Sequence, residues 1–445
     1  MTTPYYLSDN LAPVPDEADA HDLPVTGALP PELVGRYFRN GPNPKPGEDP
    51  GHWFAGHGMI HGIRLRAGRA EWYRNRWVRT SKFTDDARFL GDQGLDLAAV
   101  TANTHVIRHG ERILALVENG LPYEVTPELA TVGPCDFGGR LTTAMTAHPK
   151  QDPVTGELHF FGYGFAPPFV TYHRLSAEGE LVESREIEVA ESTMMHDFAV
   201  TEHYLIWLDL PVVFDLRRGA MPYAWQESYG ARIGVTPKAG GPTRWFEIDP
   251  CYVFHVGNAW EDTEGRIVLN AARYTAGVFG PLWDRISGTS DPARHAASMF
   301  GSVLHRWTLD PATGKVVDEA LDDRPVEFPT FNDGLLGRAS RYLYTVGEES
   351  VVKYDQRSGE TRMNQTGGYT GEAVFAPAPG ASAEDEGWLL SVVTAGDSSE
   401  LLVLDAGDLS EVASVRLPRR VPAGFHGSWF EDETAPSKRR LTGLS

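Results

Sequence analysis

Cysteine is nearly missing from this chain: Cys135 and Cys251 are the only two among 445 residues. Two thiols build neither a disulfide framework nor a thiolate metal site, so each reads as a small buried residue and any metal must find other ligands. Positive charge is scarce as well, with 40 Lys+Arg against 61 Asp+Glu and a formal net charge of −21. Phosphate backbones are bound through basic patches that release counterions, and no Lys/Arg run supplies one, so nucleic acid is excluded as a partner. Long apolar runs are the third absence. None reaches the roughly 18 to 20 residues of a membrane span, and the opening MTTPYYLSDN lacks the basic start and apolar stretch of a secretory signal, so the expectation is a cytoplasmic chain.

What is present is core material and histidine. Hydrophobic residues make up 41% and aromatics 11%, enough for a large packed interior, while 23% charged is ordinary for a folded chain. Against the two cysteines stand fifteen histidines. Histidine is a packed or surface residue, a proton carrier or a neutral metal ligand.

Length alone suggests more than one domain, but the turn pattern argues for a single all-β unit over 1–445. An alternating apolar run, an Asp/Gly turn and a second run recur in AHPKQDPVTGELHFFGYG (147–164), NAWEDTEGRIVLNAARY (258–274), HRWTLDPATGKVVDEAL (305–321), VVKYDQRSGETRMN (351–364) and LLVLDAGDLSEVASVRL (401–417). These are hairpin signals, and related hairpins at irregular intervals suggest propeller blades. Helical signal is confined to 29–35 and part of 279–300, where Pro281, Gly288 and Pro292 interrupt any long helix. The polar insertion APAPGASAEDEG (376–387) belongs on a surface loop.

Four histidines sit in apolar, strand-like surroundings: His148 in MTAHPK, His196 in MMHDF, His255 in CYVFHVGN and His426 in GFHGSW. Their wide separations fit no local metal motif. In a propeller this is expected, because the innermost strand of every blade lines one central axis and distant segments converge there.

With ELVGRYFRNGPNP (32–44) and GHWFAGHGMIHG (51–62), these segments resemble the carotenoid cleavage oxygenase family over about residues 30–430, with six motifs in order. The resemblance implies a seven-bladed β-propeller with loops and short helices capping one face. It also implies one Fe(2+) held by His148, His196, His255 and His426. Four neutral imidazoles leave the ion its full charge and leave positions open for O2 and substrate. Glu118 (LALVENG), Glu327 (VEFP) and Glu372 (TGEAVFAP) match the family's glutamates that hold the second N–H of three of these histidines. Thr104 matches a threonine beside an open iron position. His52, His57 and His61 fall in a packing segment, and the other histidines read as surface or structural.

The activity implied is oxidative cleavage of a conjugated carbon–carbon double bond into two carbonyl compounds, with both oxygens of O2 and no organic cofactor. Members that cleave 4-hydroxystilbenes recognise the phenol with a lysine directly before the first glutamate and a tyrosine in the preceding strand. Here those positions hold Val117 and, within NRWVRTSKF (75–83), Phe83, with Lys82 next to it. Neither Val117 nor Phe83 can hydrogen-bond a phenolate, so a carotenoid or apocarotenoid is preferred over stilbenes and phenylpropenoid alkenes. A metal-free lipid-binding propeller is the reading from another class, and a retinoid-type isomerase is more remote. The loops 161–170, 210–225 and 274–283 are rich in Phe, Trp, Tyr, Pro and Gly, as suits a roof over an apolar pocket. A buried loop core is the preferred reading of 212–225; if exposed beside Arg217 and Arg218, it would make peripheral membrane contact.

Overall fold

The hairpin turns read from the sequence share one mechanism. At 152–156, Asp152 Oδ1 accepts the N–H groups of Val154 at 2.9 Å and Thr155 at 3.2 Å, while Gly156 N–H donates to Asp152 O at 2.8 Å. Asp310 with Gly314 and Asp355 with Gly359 repeat the arrangement. The fifth residue must turn left-handed, with φ of 73°, 78° and 75° at the three glycines, which is why glycine recurs there. Asp405 ends the same turn on Leu409 at φ 63°, where a side chain buried in the core accompanies the backbone strain.

The computed structural model describes residues 3–92, 94–219, 221–287 and 300–432. Among these residues the strands form seven antiparallel sheets of four to six strands, with two small hairpins beside them. This is a seven-bladed β-propeller. The ring closes twice. Val25–Gly27 adds an outer strand to the last sheet by pairing with Glu411–Arg416, and Gly427–Glu431 supplies the innermost strand of the first sheet by pairing with Gly35–Pro42. Between blades the faces interlock through large side chains. Trp207 is fully buried and meets Phe161 and Tyr172 of the neighbouring blade edge to face, each at 6.1 Å, while its Nε1 donates to Thr236 Oγ1 at 2.9 Å within its own blade.

Two expectations for helices change. The 29–35 stretch forms no helix: Pro30 starts a turn closed by Leu33 N–H, Leu29 and Leu33 drop into the core, and the strand Gly35–Pro42 follows. Pro281 does not interrupt α-structure either. It lies inside the helix Ala276–Ile286, which buries Phe279, Leu282, Trp283 and Ile286. A proline inside a helix costs about 3 kcal/mol, and four buried side chains at about 1.5 to 3 kcal/mol each outweigh it. Gly288 and Pro292 lie outside the described residues. Within the insertion at 376–387 the residues 378–386 form the surface connection, while Ala376 and Gly387 are buried in the strands Val374–Pro377 and Gly387–Ala395.

Candidate metal centre and its cavity

Every blade delivers one chemically active side chain to the axis. His148 stands just before the inner strand Lys150–Gln151, His196 before Ala199–Val200, His255 within Tyr252–Glu261 and His426 before Gly427–Glu431, each in a different sheet. The other three sheets bring Glu118, beyond the end of Arg112–Leu116, Glu327 at the start of Glu327–Thr330, and Glu372 between Tyr369–Thr370 and Val374–Pro377.

The four imidazoles converge. Ligand atoms of His148, His196 and His255 lie within 4.8 Å of one another. The His426 ring completes the group, with centroid distances of 4.6 Å to His148 and 4.8 Å to His255. His196 Nδ1 lies 2.7 Å from Glu118 Oε2, His255 Nδ1 2.5 Å from Glu327 Oε2, and His426 Nδ1 3.0 Å from Glu372 Oε1. An ionised carboxylate only accepts, so each Nδ1 carries the proton and each Nε2 presents a lone pair. Among the described residues, His148 has no such carboxylate.

The donor set fits a cation. His148 Nε2 and His196 Nε2 are 2.9 Å apart, and two nitrogens about 2.1 Å from one ion at right angles would be about 3 Å apart. Burial holds His148 well below the ordinary histidine pKa, with the neighbouring imidazoles pushing the same way. Burial also lowers His426, against the opposing pull of Glu372. For His196 the burial effect is outweighed by Glu118, which raises it. Burial alone would raise Glu372, but His426 holds it below the usual carboxylate value. Neutral His148 and His426 are in the state a metal requires.

A further layer of side chains, which sequence reasoning did not single out, fixes this cluster. Tyr274 donates its hydroxyl to Glu327 Oε1 at 2.9 Å, and Gly427 N–H donates to Glu372 Oε2 at 2.8 Å. Asp197 is 2% exposed and accepts the N–H of Phe198 at 2.7 Å and of Val256 at 2.8 Å. It also pairs with Lys150 Nζ at 2.8 Å, so one carboxylate ties the segments carrying His148, His196 and His255. His105, read as surface or structural, is structural: Nδ1 lies 3.0 Å from Ala147 O and Nε2 3.1 Å from Ser428 Oγ. Adjacency to a candidate ligand is the signal that points to Asp197. Nothing in the sequence points to His105.

The centre opens onto a cavity of about 980 Å³ lined by His196, His255 and His426 together with Thr104, Val117 and many apolar side chains. Thr104 also accepts the His426 N–H through its carbonyl at 3.2 Å. Phe83 is not brought to this wall. It packs against Trp77 at 5.7 Å and His57 at 5.1 Å, while the adjacent Lys82 lines the cavity. His57 and His61 serve packing: His57 Nε2 lies 3.2 Å from Glu48, and His61 Nδ1 lies 2.8 Å from the Tyr73 hydroxyl. His52 lies on the cavity wall.

A seven-bladed propeller with an axial histidine cluster and a large apolar cavity defines an oxygenase class with a His-coordinated metal site. The chain belongs to the carotenoid cleavage oxygenase family, since the family model described as retinal pigment epithelial membrane protein (RPE65) matches residues 11–431. It is 40% identical to a carotenoid cleavage oxygenase of Mycobacterium tuberculosis, over 95% of this chain and 97% of that protein. The structure of a Pseudomonas brassicacearum lignostilbene dioxygenase superposes with a TM-score of 0.84 at 27% identity, covering 97% of this chain and 99% of that one. A Synechocystis apocarotenoid oxygenase variant gives a TM-score of 0.82 at 27% identity, covering 94% and 97%.

Proposed function

We propose that His148, His196, His255 and His426 hold Fe(2+), and that the protein uses O2 to cleave a double bond of a carotenoid or apocarotenoid into two carbonyl products. The observation that carries this reading is the convergence of the four imidazoles, three of which line the apolar cavity. Fe(2+), when bound, supplies the electron density that activates O2. Glu118, Glu327 and Glu372 fix the tautomer and orientation of three imidazoles, so each Nε2 stays pointed inward without a proton. Phe328 stacks on His255 at 4.7 Å and, with Phe54 and Phe425, walls the site with rings that exclude water and align a flat conjugated chain. Thr104 narrows the space beside the centre.

Iron analysis of the purified protein, with mass identification of products from an aerobic panel holding a carotenoid, an apocarotenal and a hydroxystilbene, tests this. Aldehyde or ketone pairs from the polyenes are expected. Products from the hydroxystilbene alone would replace the substrate assignment with the stilbene reading, which the likeness to the lignostilbene dioxygenase favours. Protein that never retains iron would remove the mechanism.

Substrate delivery follows from the cavity mouth. Leu90 (67% exposed), Leu95, Phe165 and Leu216 (77% exposed) line the cavity and face outward, while Val212 and Val213 are buried. Among the described residues no helix is long and apolar enough to cross a membrane. This apolar rim fits a cytoplasmic protein that touches a membrane peripherally to take up a lipid-like substrate. Sedimentation with phospholipid vesicles that is abolished by Leu90→Glu with Leu216→Glu is the expected result.

A further inference from the structure

Lys82 is the only lysine or arginine among the described residues lining the cavity. It lies on the short helix Ser81–Asp85, half-buried, and lines the cavity together with Phe89, Leu90, Leu95 and Leu97. Neither a hydrogen bond nor an ion pair to Lys82 is present among the described residues. The acids and bases around it are engaged elsewhere. Glu48 is held by His57 Nε2 at 3.2 Å and by the Lys45 N–H at 3.0 Å, and Lys45 Nζ donates to Phe83 O at 2.7 Å. The two carboxylates on the cavity wall, Glu118 and Glu327, are bound to His196 and His255.

His52 lines the same cavity and is equally uncommitted. Neither ring nitrogen has a hydrogen-bond partner among the described residues, and Nδ1 is fully buried. Burial, with the charge of Lys82 adding to it, lowers His52 to about 4, so the ring is neutral at pH 7. Burial lowers Lys82 too, against the pull of Glu48. An ammonium and an imidazole without partners on an apolar wall are poorly satisfied until a ligand supplies an acceptor.

We propose that Lys82, with His52 lining the same cavity, receives the oxygen-bearing end group of the substrate and so selects conjugated chains that end in a hydroxyl or carbonyl over all-hydrocarbon ones. The inference rests on the dioxygenase reading for the conjugated chain, and on the unpaired side chains for the oxygen. It revises the picture of a purely apolar pocket drawn from Val117 and Phe83, because Lys82 rather than Phe83 lines the cavity. An apocarotenoid aldehyde and a hydroxystilbene both carry such an oxygen, so the probe set separates them.

The test uses iron-loaded protein, wild type, Lys82→Met, Lys82→Arg and His52→Phe, with two polyenes of equal length, one ending in an aldehyde and one in a hydrocarbon, plus a hydroxystilbene. The ratio of kcat/KM for the aldehyde over the hydrocarbon is expected to exceed about 10 in wild type, fall toward 1 in Lys82→Met and be largely kept in Lys82→Arg. A ratio near 1 in wild type, or one that survives in Lys82→Met, overturns the proposal. A collapse confined to the hydroxystilbene assigns the oxygen to a phenol instead of a carbonyl. Equilibrium binding, read from the absorbance shift of each polyene, keeps the two readings apart. Absence of turnover with an intact, Lys82-dependent preference in binding defeats the dioxygenase reading and leaves the end-group receptor standing.

Discussion

At the scale of single residues, the site is a set of tautomers held in place. Removing the charge from Glu327 leaves His255 Nδ1 without a full acceptor and frees the Tyr274 hydroxyl, so Glu327→Gln is expected to weaken metal binding by about 10- to 100-fold. Competition with a chelator, followed by metal analysis, checks this; unchanged affinity would mean that His255 is oriented by packing on Phe328 alone. His148→Ala removes a ring 4.5 Å from His196 and 4.6 Å from His426, and is expected to abolish stoichiometric iron retention with the fold preserved by circular dichroism. The residue types were legible beforehand because an imidazole or a carboxylate in an apolar strand needs a reason. The adjacent pair Lys82 and Phe83 was not. On a helix, neighbours point about 100° apart, and only the packing of Phe83 on Trp77 shows which of the two faces the cavity.

At the scale of elements, two of the inner strands are very short, and side-chain bonds hold them in place. Lys150–Gln151 and Ala199–Val200 each contribute two residues, too few for a stable ladder alone. Asp197 compensates by joining Lys150, Phe198 and Val256. Asp197→Ala would leave a mostly buried ammonium and two N–H groups without partners, and a loss of about 3 to 5 kcal/mol in urea denaturation is expected. A loss below about 1 kcal/mol would show that the pair behaves as a surface ion pair. The hairpin turns were readable because Asp and Gly act locally through the same five-residue geometry each time. The helix Ala276–Ile286 was misjudged at Pro281 because its apolar face is satisfied by contacts remote in sequence, which propensity does not register.

At the scale of the whole molecule, buried histidines other than the four at the axis set the response to acid. Burial holds His105 and His173 at about 4 and His159 at about 3 in the folded chain, against 6.5 in the unfolded one. The unfolded state therefore binds more protons below pH 6.5, and stability falls as pH drops from 6.5 toward 4, by up to about 1.4 kcal/mol per pH unit for each group. Thermal unfolding of the protein between pH 7 and pH 5 should show a steadily decreasing Tm; a flat profile would contradict the buried, neutral assignment. The acidic surplus of the chain, −21, bears on solubility and on which partners are repelled.

The sequence by itself determined the strand and turn pattern, the family, and the seven polar side chains that reach the axis, because each depends on local chemistry or on motifs that stand in order along the chain. Only the tertiary structure decided how they meet. Ring closure joins Gly427–Glu431 to Gly35–Pro42, and it is this closure that carries His426 to a point 4.8 Å from His255. The same holds for the cavity, whose wall is assembled from segments as distant as His52, Lys82, Phe165 and Phe425. Periodicity tells a strand which side faces its neighbours, but the direction of a loop side chain is set by contacts from elsewhere in the ring. That is why the axial histidine cluster could be read from sequence and the place of Lys82 on the cavity wall could not.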